Sequence, residues 1–235
     1  MKGRLFLIPS PLGDNDPAEV IPAGVLSMLP SISTYVVEAV RTARRYLSAA
    51  GLKGHVQDIE FHELNEHTTP EEVEALMKLF DDGRDVGLIT EAGLPAVADP
   101  GAQLVRLCHR HGVEVVPMSG PSSLMLALMA SGLNGQSFAF LGYLPAKTEE
   151  RRQALRSIEK HSSTARQTKI FIETPYRNDS LLADILSVCR ADTEVCIAAN
   201  ITMPDAFIRT KTAGEWKKSV PTIGKRPCVF LILGH

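Results

Sequence analysis

A chain of 235 residues that is 44% hydrophobic, 22% charged and 6% aromatic has the composition of a folded globular protein, which excludes disordered and fibrous classes. Twenty-five Lys plus Arg stand against 27 Asp plus Glu, a net charge of -2, so no global basic field draws the protein to nucleic acid or to an anionic membrane. Any RNA contact has to use a local patch.

The N-terminal apolar run covers only Leu5 to Ile8 before Pro9, short of a signal-peptide core. The run Leu124 to Ala130 falls well below the roughly 20 residues that span a bilayer. Both point to a soluble, cytoplasmic protein without membrane association. Short apolar runs then alternate with amphipathic segments bounded by Gly and Pro, the rhythm of βα units around a parallel sheet. Strands are predicted at Arg4 to Ile8, Thr34 to Glu38, Gln57 to Phe61, Asp85 to Ile89 and Glu114 to Pro117, with helices between them. The clearest helix runs from Pro70 to Asp82: Thr69 is its N-cap, Pro70 its first residue, Glu72 completes a capping box and Gly83 stops it. A second helix, Ala102 to His111, ends at Gly112.

From Met118 the chain changes to a helix rich in small and flexible apolar residues, closed by Gly132, and this marks the passage into a second domain. Strands are predicted there at Phe138 to Leu141, Lys169 to Glu173, Glu194 to Ala198, Ala206 to Arg209 and Cys228 to Leu233. Helices are predicted from Glu149 to Lys160 and Asn178 to Cys189. The fold class is α/β, with two α/β domains of similar size, residues 1–118 and 119–235, each with a central sheet.

Parallel α/β sheets bind ligands beyond the carboxyl ends of their strands, which singles out three loops. The first, IPSPLGDNDP, turns sharply with Pro and Gly after the first strand. The second, Thr90 to Gly101, is longer than the ~2–6 residues usual for such connections, and its small residues let backbone groups approach a ligand. The third, Ser119 to Ser123, brings hydroxyls and free amides to the start of a helix, where an anion or carboxylate is favoured, although Ser122 or Ser123 serves equally as an N-cap. There is no GxxxxGK[ST], no GxGxxG after a strand and no GxSxG, so P-loop hydrolases, Rossmann dinucleotide enzymes and α/β-hydrolases are disfavoured. Cys108, Cys189, Cys196 and Cys228 lie in apolar runs without a CxxC pair. His62, His67, His109 and His111 lack ligand spacing, so no metal is expected.

The combination LFLIPSPLGD, VGLITEAGLPAVADPG, VEVVPMSGPSS and FLGYLPAK, in this order and spacing, resembles the tetrapyrrole methylase superfamily of class III S-adenosylmethionine-dependent methyltransferases. Within it the chain is most similar to the branch that methylates a ribose 2'-hydroxyl of small-subunit ribosomal RNA. The resemblance is dense to about Arg152, and the Thr90 to Gly101 loop resembles that branch's SDAGTPxxxDPG. It implies two α/β domains with the S-adenosyl-L-methionine cleft between them, a homodimer, and ribosomal RNA or the small ribosomal subunit as partner. Pro11, Ala92, Gly93, Ala96, Ser122 and Ser123 match positions lining the cofactor site, and Ile172 and Ala198 match second-domain contributors.

The substrate half departs from the branch. Glu-Asp-Thr-Arg is here Glu38, Ala39, Val40, Arg41; His-Asn-Glu is Leu64, Asn65, Glu66; Glu-Ser-x-His-Arg is Glu173, Thr174, Pro175, Tyr176, Arg177. Glu-Leu-Thr-Lys is Asn200, Ile201, Thr202, Met203, and a Gly-Glu pair is Arg226 and Pro227. Glu38, Arg41, Asn65, Glu66 and Glu173 remain as candidates for the base and for oxyanion stabilisation that a poorly nucleophilic ribose hydroxyl requires. A surface Glu38–Arg41 pair and a capping role for Glu66 are the structural alternatives. Phosphate contacts are expected from Arg41, Arg44 and Arg45, from Lys147, Arg151, Arg152 and Arg156, and from Lys217, Lys218, Lys225 and Arg226. Two other readings compete: a methyltransferase for a tetrapyrrole or corrinoid precursor, and a non-catalytic relative that binds cofactor or RNA.

Overall fold

In the computed structural model, which describes Lys2–His235, the first strand, β1 (Arg4–Leu7), alternates its apolar residues between two faces. Leu5 enters one hydrophobic cluster, whereas Phe6 and Ile8 enter another. The same division repeats in β2 (Thr34–Val37) and β4 (Val86–Ile89), every residue of which is buried, as central strands covered on both sides require. With β3 (Glu60–Glu63) and β5 (Glu114–Pro117) at the edges they form a parallel sheet in the order β3-β2-β4-β1-β5.

On the face of Phe6, Tyr35 and Val37 lie α1 (Pro17–Val20), α2 (Ala23–Met28) and α3 (Val40–Leu47). On the face of Leu5, Val36 and Leu88 lie α4 (Pro70–Ala75) and α5 (Ala102–Arg110). Connections that step one way along the sheet cover one face, and those that step back cover the other. The reversal falls between the neighbouring strands β1 and β4, the topological switch point of the sheet.

Two predicted elements differ. The capping box of Thr69 and Glu72 is present, but the α-helix ends at Ala75 and Leu76–Phe80 winds as a 3-10 helix. Leu76, Met77, Leu79 and Phe80 are all buried, and three-residue winding stacks Leu76 with Leu79 and Met77 with Phe80. The strand expected at Gln57 to Phe61 begins only at Glu60, where pairing with Thr34 starts, because Val56–Asp58 forms a 3-10 turn.

The chain divides into two compact units between Ser122 and Ser123. The second starts with α6 (Ser123–Ser131) and continues through β6 (Phe138–Tyr143), α7 (Thr148–Ala165), β7 (Thr168–Ile172), α8 (Asn178–Val188), β8 (Glu194–Ala199), β9 (Phe207–Thr212), α9 (Ala213–Lys218) and β10 (Cys228–Leu233). Its sheet has the order β6-β7-β10-β8-β9 and is mixed rather than parallel. β6 and β7 pair in parallel, β10 lies antiparallel between β7 and β8, and β9 is antiparallel to β8. The βα rhythm holds through β8, after which the chain reverses through the turn Asn200–Ala206, too short for a crossover. Helix α9, which the sequence pattern did not reveal, seats Trp216 in the core with its indole N–H donating to Val195 O at 2.9 Å.

Arg151, expected to reach phosphate, is instead buried: its guanidinium meets Asp184 at 2.5 Å and also donates to Ala146 O and Ser180 Oγ, tying α7 to α8. Arg152 binds the other Asp184 oxygen at 2.8 Å. All four cysteines are buried free thiols, and burial pushes Cys108 up to about 11 and Cys189 and Cys228 up to about 12. No described helix is long and apolar enough to cross a membrane. Replacing Asp184 by Ala strands a buried guanidinium, and chemical denaturation is expected to show a loss of about 3–5 kcal/mol; a loss below about 1 kcal/mol marks the pair as dispensable.

Candidate active site

At the switch point the loops that leave β1 and β4 are joined to each other. Ser10 N–H donates to Gly93 O at 2.9 Å and Gly93 N–H to Ser10 O at 3.1 Å, an isolated antiparallel bridge, and Ser10 Oγ donates to Thr90 O at 3.1 Å. Tyr46 on α3 fixes the start of the first loop by donating its buried hydroxyl to Pro9 O at 2.8 Å. Close approach explains the glycines here. A Cβ on Gly120 would lie 2.1 Å from Pro9 Cβ, and one on Gly93 would lie 3.2 Å from Leu12 Cδ2 and 3.5 Å from Pro121 O, at a φ of +80°. All three loops singled out from the sequence therefore meet above β1 and β4.

The Thr90–Gly101 loop stores strain. Ala96 and Ala98 adopt φ of 64° and 63°, left-handed conformations that cost a non-glycine residue about 1 kcal/mol or more each. Such conformations persist where the surroundings over-determine them, here through Ala96 N–H donating to Pro100 O. Pro11, Ala92 and Ala96 remain partly or fully open to solvent along these loops, while Gly93 is buried.

Glu38, just past β2, accepts the Glu91 amide at 3.0 Å and so fastens a third strand end to the same loop. Burial holds its carboxyl above the ordinary range, partly offset by that amide, with the negative charges of Asp99, Glu91 and Glu66 adding to the rise. Asp99 is raised in the same way. Thr90 Oγ1 tempers that shift but, outside hydrogen-bond geometry, is a buried hydroxyl without a partner among the described residues. Glu38, Asn65, Glu66, Glu91 and Asp99 thus share one acidic region, and Asn65, Glu66 and Asp99 line a hollow of about 270 Å³. Across the bridge, Pro11 shares a cleft of about 230 Å³ with Ser10, Arg45, Tyr46, Thr90 and Glu91. Glu91, Asp99 and Thr90 were not picked from the sequence; two carboxylates inside an otherwise small-residue loop were the available signal.

The remaining candidates fare unequally. Arg41 is exposed in the first turn of α3, and Glu38 is turned to the Glu91 amide rather than paired with it. Asn65 accepts the His67 amide and makes its own turn, and Glu66 is exposed beside His67 at 3.6 Å, the following helix being capped by Thr69 instead. In the second unit Ile172 ends β7, Ala198 lies buried in β8, and both face Val229 across β10. Glu173 follows Ile172 with a fully buried carboxylate: Oε1 accepts from Thr174 N–H at 2.7 Å and from Arg177 at 2.6 Å, while Oε2 has no partner among the described residues.

A model of the family described as Tetrapyrrole (Corrin/Porphyrin) Methylases matches residues 21–217. The chain belongs to this family. It is similar over its whole length to the "Ribosomal RNA small subunit methyltransferase I" of Escherichia coli O157:H7, 30% identical and covering 79% of that protein. The same-named protein of Vibrio cholerae is 33% identical across 98% of this chain and 77% of its own. Among solved structures, the methyltransferase CobJ superposes with a TM-score of 0.65 at 16% identity, covering 99% of this chain and 94% of that one. Uroporphyrin-III C-methyl transferase from Thermus thermophilus, solved with S-adenyl homocysteine, gives 0.59 at 18% identity, covering 98% and 97%. The family member is accordingly a methyltransferase whose donor is S-adenosylmethionine.

The residues present suit that donor. Backbone groups are brought close by Gly93, a carboxylate-rich rim answers a sulfonium and an ammonium, and the exposed Val97 and half-buried Leu94 offer apolar surface to an adenine ring. The raised carboxyl of Glu38 also sets a stability signature. A carboxylate whose folded pKa lies above its unfolded value costs stability once pH exceeds the unfolded pKa, and the cost vanishes below it. Thermal melts of Glu38→Gln from pH 4 to 7 should show a variant more stable than the parent at pH 7, with the advantage disappearing as pH falls through the carboxylate range. A constant difference would assign Glu38 an ordinary titration.

Proposed function

We propose that the chain is a cytoplasmic, homodimeric methyltransferase that acts on small-subunit ribosomal RNA at a ribose 2'-hydroxyl. The observation that carries this reading is similarity across 98–100% of this chain, at 30% and 33% identity, to relatives named for small-subunit ribosomal RNA. The structures of CobJ and of the uroporphyrin-III C-methyl transferase share 16% and 18% identity, a likeness of fold. The reading assigns Pro11, Ala92, Gly93, Ala96 and Ser122 of the first unit, and Ser123, Ile172 and Ala198 of the second, to holding the donor. When bound, S-adenosylmethionine supplies a methyl group already activated by its sulfonium, so the acceptor needs positioning and deprotonation.

Glu38 is the group we assign to take the hydroxyl proton, because it is half-buried, fixed by the Glu91 amide and raised in pKa toward the range where a carboxylate works as a base. Arg41, in the first turn of α3 and exposed, steadies the phosphate or the developing oxyanion. Asn65 and Glu66 shape the adjoining hollow, and Glu173 acts through Arg177, which it holds in place. Arg44 and Arg45 on α3 and Arg156 on α7 are exposed and able to meet backbone phosphates. For the homodimer, support comes from exposed apolar side chains in the second unit, Met125 and Met129 on α6 and Leu141 and Tyr143 on the edge strand β6.

Transfer of labelled methyl from S-adenosylmethionine to unmethylated small ribosomal subunits is expected, at an alkali-resistant 2'-O position, with none to uroporphyrinogen; the opposite pattern selects the tetrapyrrole reading. Gly93→Trp fills the close-approach loop and should abolish donor binding in calorimetry while the circular dichroism spectrum is kept. Arg41→Ala should keep donor affinity and lower transfer roughly tenfold or more, the scale of a lost charged contact in the transition state. Light scattering should give a dimer that Met129→Glu dissociates, and a monomeric parent would remove that assignment.

A further inference from the structure

The turn that follows β7 displays an aromatic ring for which the fold itself has no use. Tyr176 is 80% exposed in the middle of the 3-10 turn Pro175–Arg177, yet the turn beneath it is tightly fixed. Pro175 sets the backbone at the first position, Arg177 N–H donates to Thr174 O at 2.9 Å, and the Arg177 guanidinium is clamped to the buried Glu173 at 2.6 Å. A ring this exposed gains little from burial on folding and keeps its face open to a partner.

One neighbour of the ring is a cation. Lys225 Nζ stands 5.0 Å from the Tyr176 centroid, on a loop locked to the start of α8. Asn178 donates its side-chain amide to Gly224 O at 3.2 Å and Arg226 O at 2.8 Å, and Asp179 accepts the Ile223 amide at 2.7 Å. Strand register sets Ile172, Cys228, Ala199 and Phe207 at the same end of this sheet, and there Arg209 and Arg226 flank Phe207 at 5.8 and 6.0 Å. The carboxylates of that end are engaged: Asp179 by backbone amides, Asp205 by Asn200, Glu173 by Arg177. The surface therefore presents a π-face beside cations that pair with no carboxylate among the described residues, Arg226 donating instead to Ile223 O and Thr222 O.

We propose that Tyr176 is a stacking platform for an unpaired nucleobase of the RNA substrate, with Lys225 on that nucleotide's phosphate. A planar base matches the ring face, and the phosphate that every nucleotide carries matches the ammonium beside it. An acidic peptide would use the charge and leave the ring uncovered. The assignment rests on the RNA reading above and makes Tyr176 and Lys225 determinants of substrate binding, separate from donor binding and proton transfer.

The test uses the full chain in two assays. In methyl transfer to small ribosomal subunits, Tyr176→Ala should raise KM for the subunit about tenfold, the scale of one lost base–aromatic stack, with the Kd for S-adenosylmethionine unchanged. Tyr176→Phe, which keeps the ring, should behave as the parent, and Lys225→Gln should weaken binding and reduce its salt dependence by about one counterion. In the second assay a single-stranded RNA decamer containing 2-aminopurine is titrated with protein; the parent and Tyr176→Phe should quench its fluorescence and Tyr176→Ala should not. Equal KM and equal quenching for Tyr176→Ala and parent overturn the platform. If the parent methylates no subunit, the RNA-methyltransferase reading fails on its own, and the quenching assay still decides whether Tyr176 stacks a base.

Discussion

Two backbone hydrogen bonds between Ser10 and Gly93 hold the first unit's candidate site together. They join loops that depart from neighbouring parallel strands in opposite directions, so that neither loop can move without carrying the other. The glycine is favoured chiefly because its φ is positive, and a Cβ there would also press on the Leu12 side chain. The strained alanines, the Glu38–Glu91 contact and the Tyr46–Pro9 bond all brace this same junction from different strands. Rigid placement of backbone donors and acceptors suits methyl transfer, where alignment of donor and acceptor provides much of the rate.

The acidic environment around Glu38 follows from that junction. Folding brings Glu38, Glu66, Glu91 and Asp99 from three loops to one end of the sheet, where burial raises the carboxyls of Glu38 and Asp99 and neighbouring carboxylates, Glu91 for both, add to the rise. In a purely structural protein this would be a defect. Under the proposed function it complements a cationic donor, and a carboxyl raised in this way suits the proposed proton acceptor. The second unit handles charge differently, neutralising Asp184 with two arginines to hold its helices together and keeping Lys225, Arg226 and Arg209 toward one end of its sheet.

Much of this was legible in the chain. Short apolar runs located β1, β2, β4 and β5, the Thr69–Glu72 box located a helix start, and the length of the Thr90–Gly101 loop singled out one of the connections that meet at the switch point. What was not legible depends on tertiary pairing. Nothing local shows that β10 inserts antiparallel between β7 and β8, since its apolar run reads the same in either direction. The arginines at 151 and 152 read as an exposed basic face until Asp184, on a different helix, is seen to bind both. Glu91 and Asp99 looked like ordinary loop carboxylates because the Glu91 amide's contact with Glu38, past the end of another strand, and the burial that raises Asp99 arise only in the folded chain.

The four cysteines carry a consequence of their own. With every thiol buried in one core or the other, and three of them pushed to about 11 or 12, almost no thiolate is present at neutral pH while the protein is folded. Thiol-directed oxidants and alkylating reagents therefore find no accessible thiol until a unit opens. Cys108 lies in the first unit and Cys189, Cys196 and Cys228 in the second, so the molecule carries a built-in chemical clock for each half, and the order in which its thiols become reactive records the order in which the two units come apart.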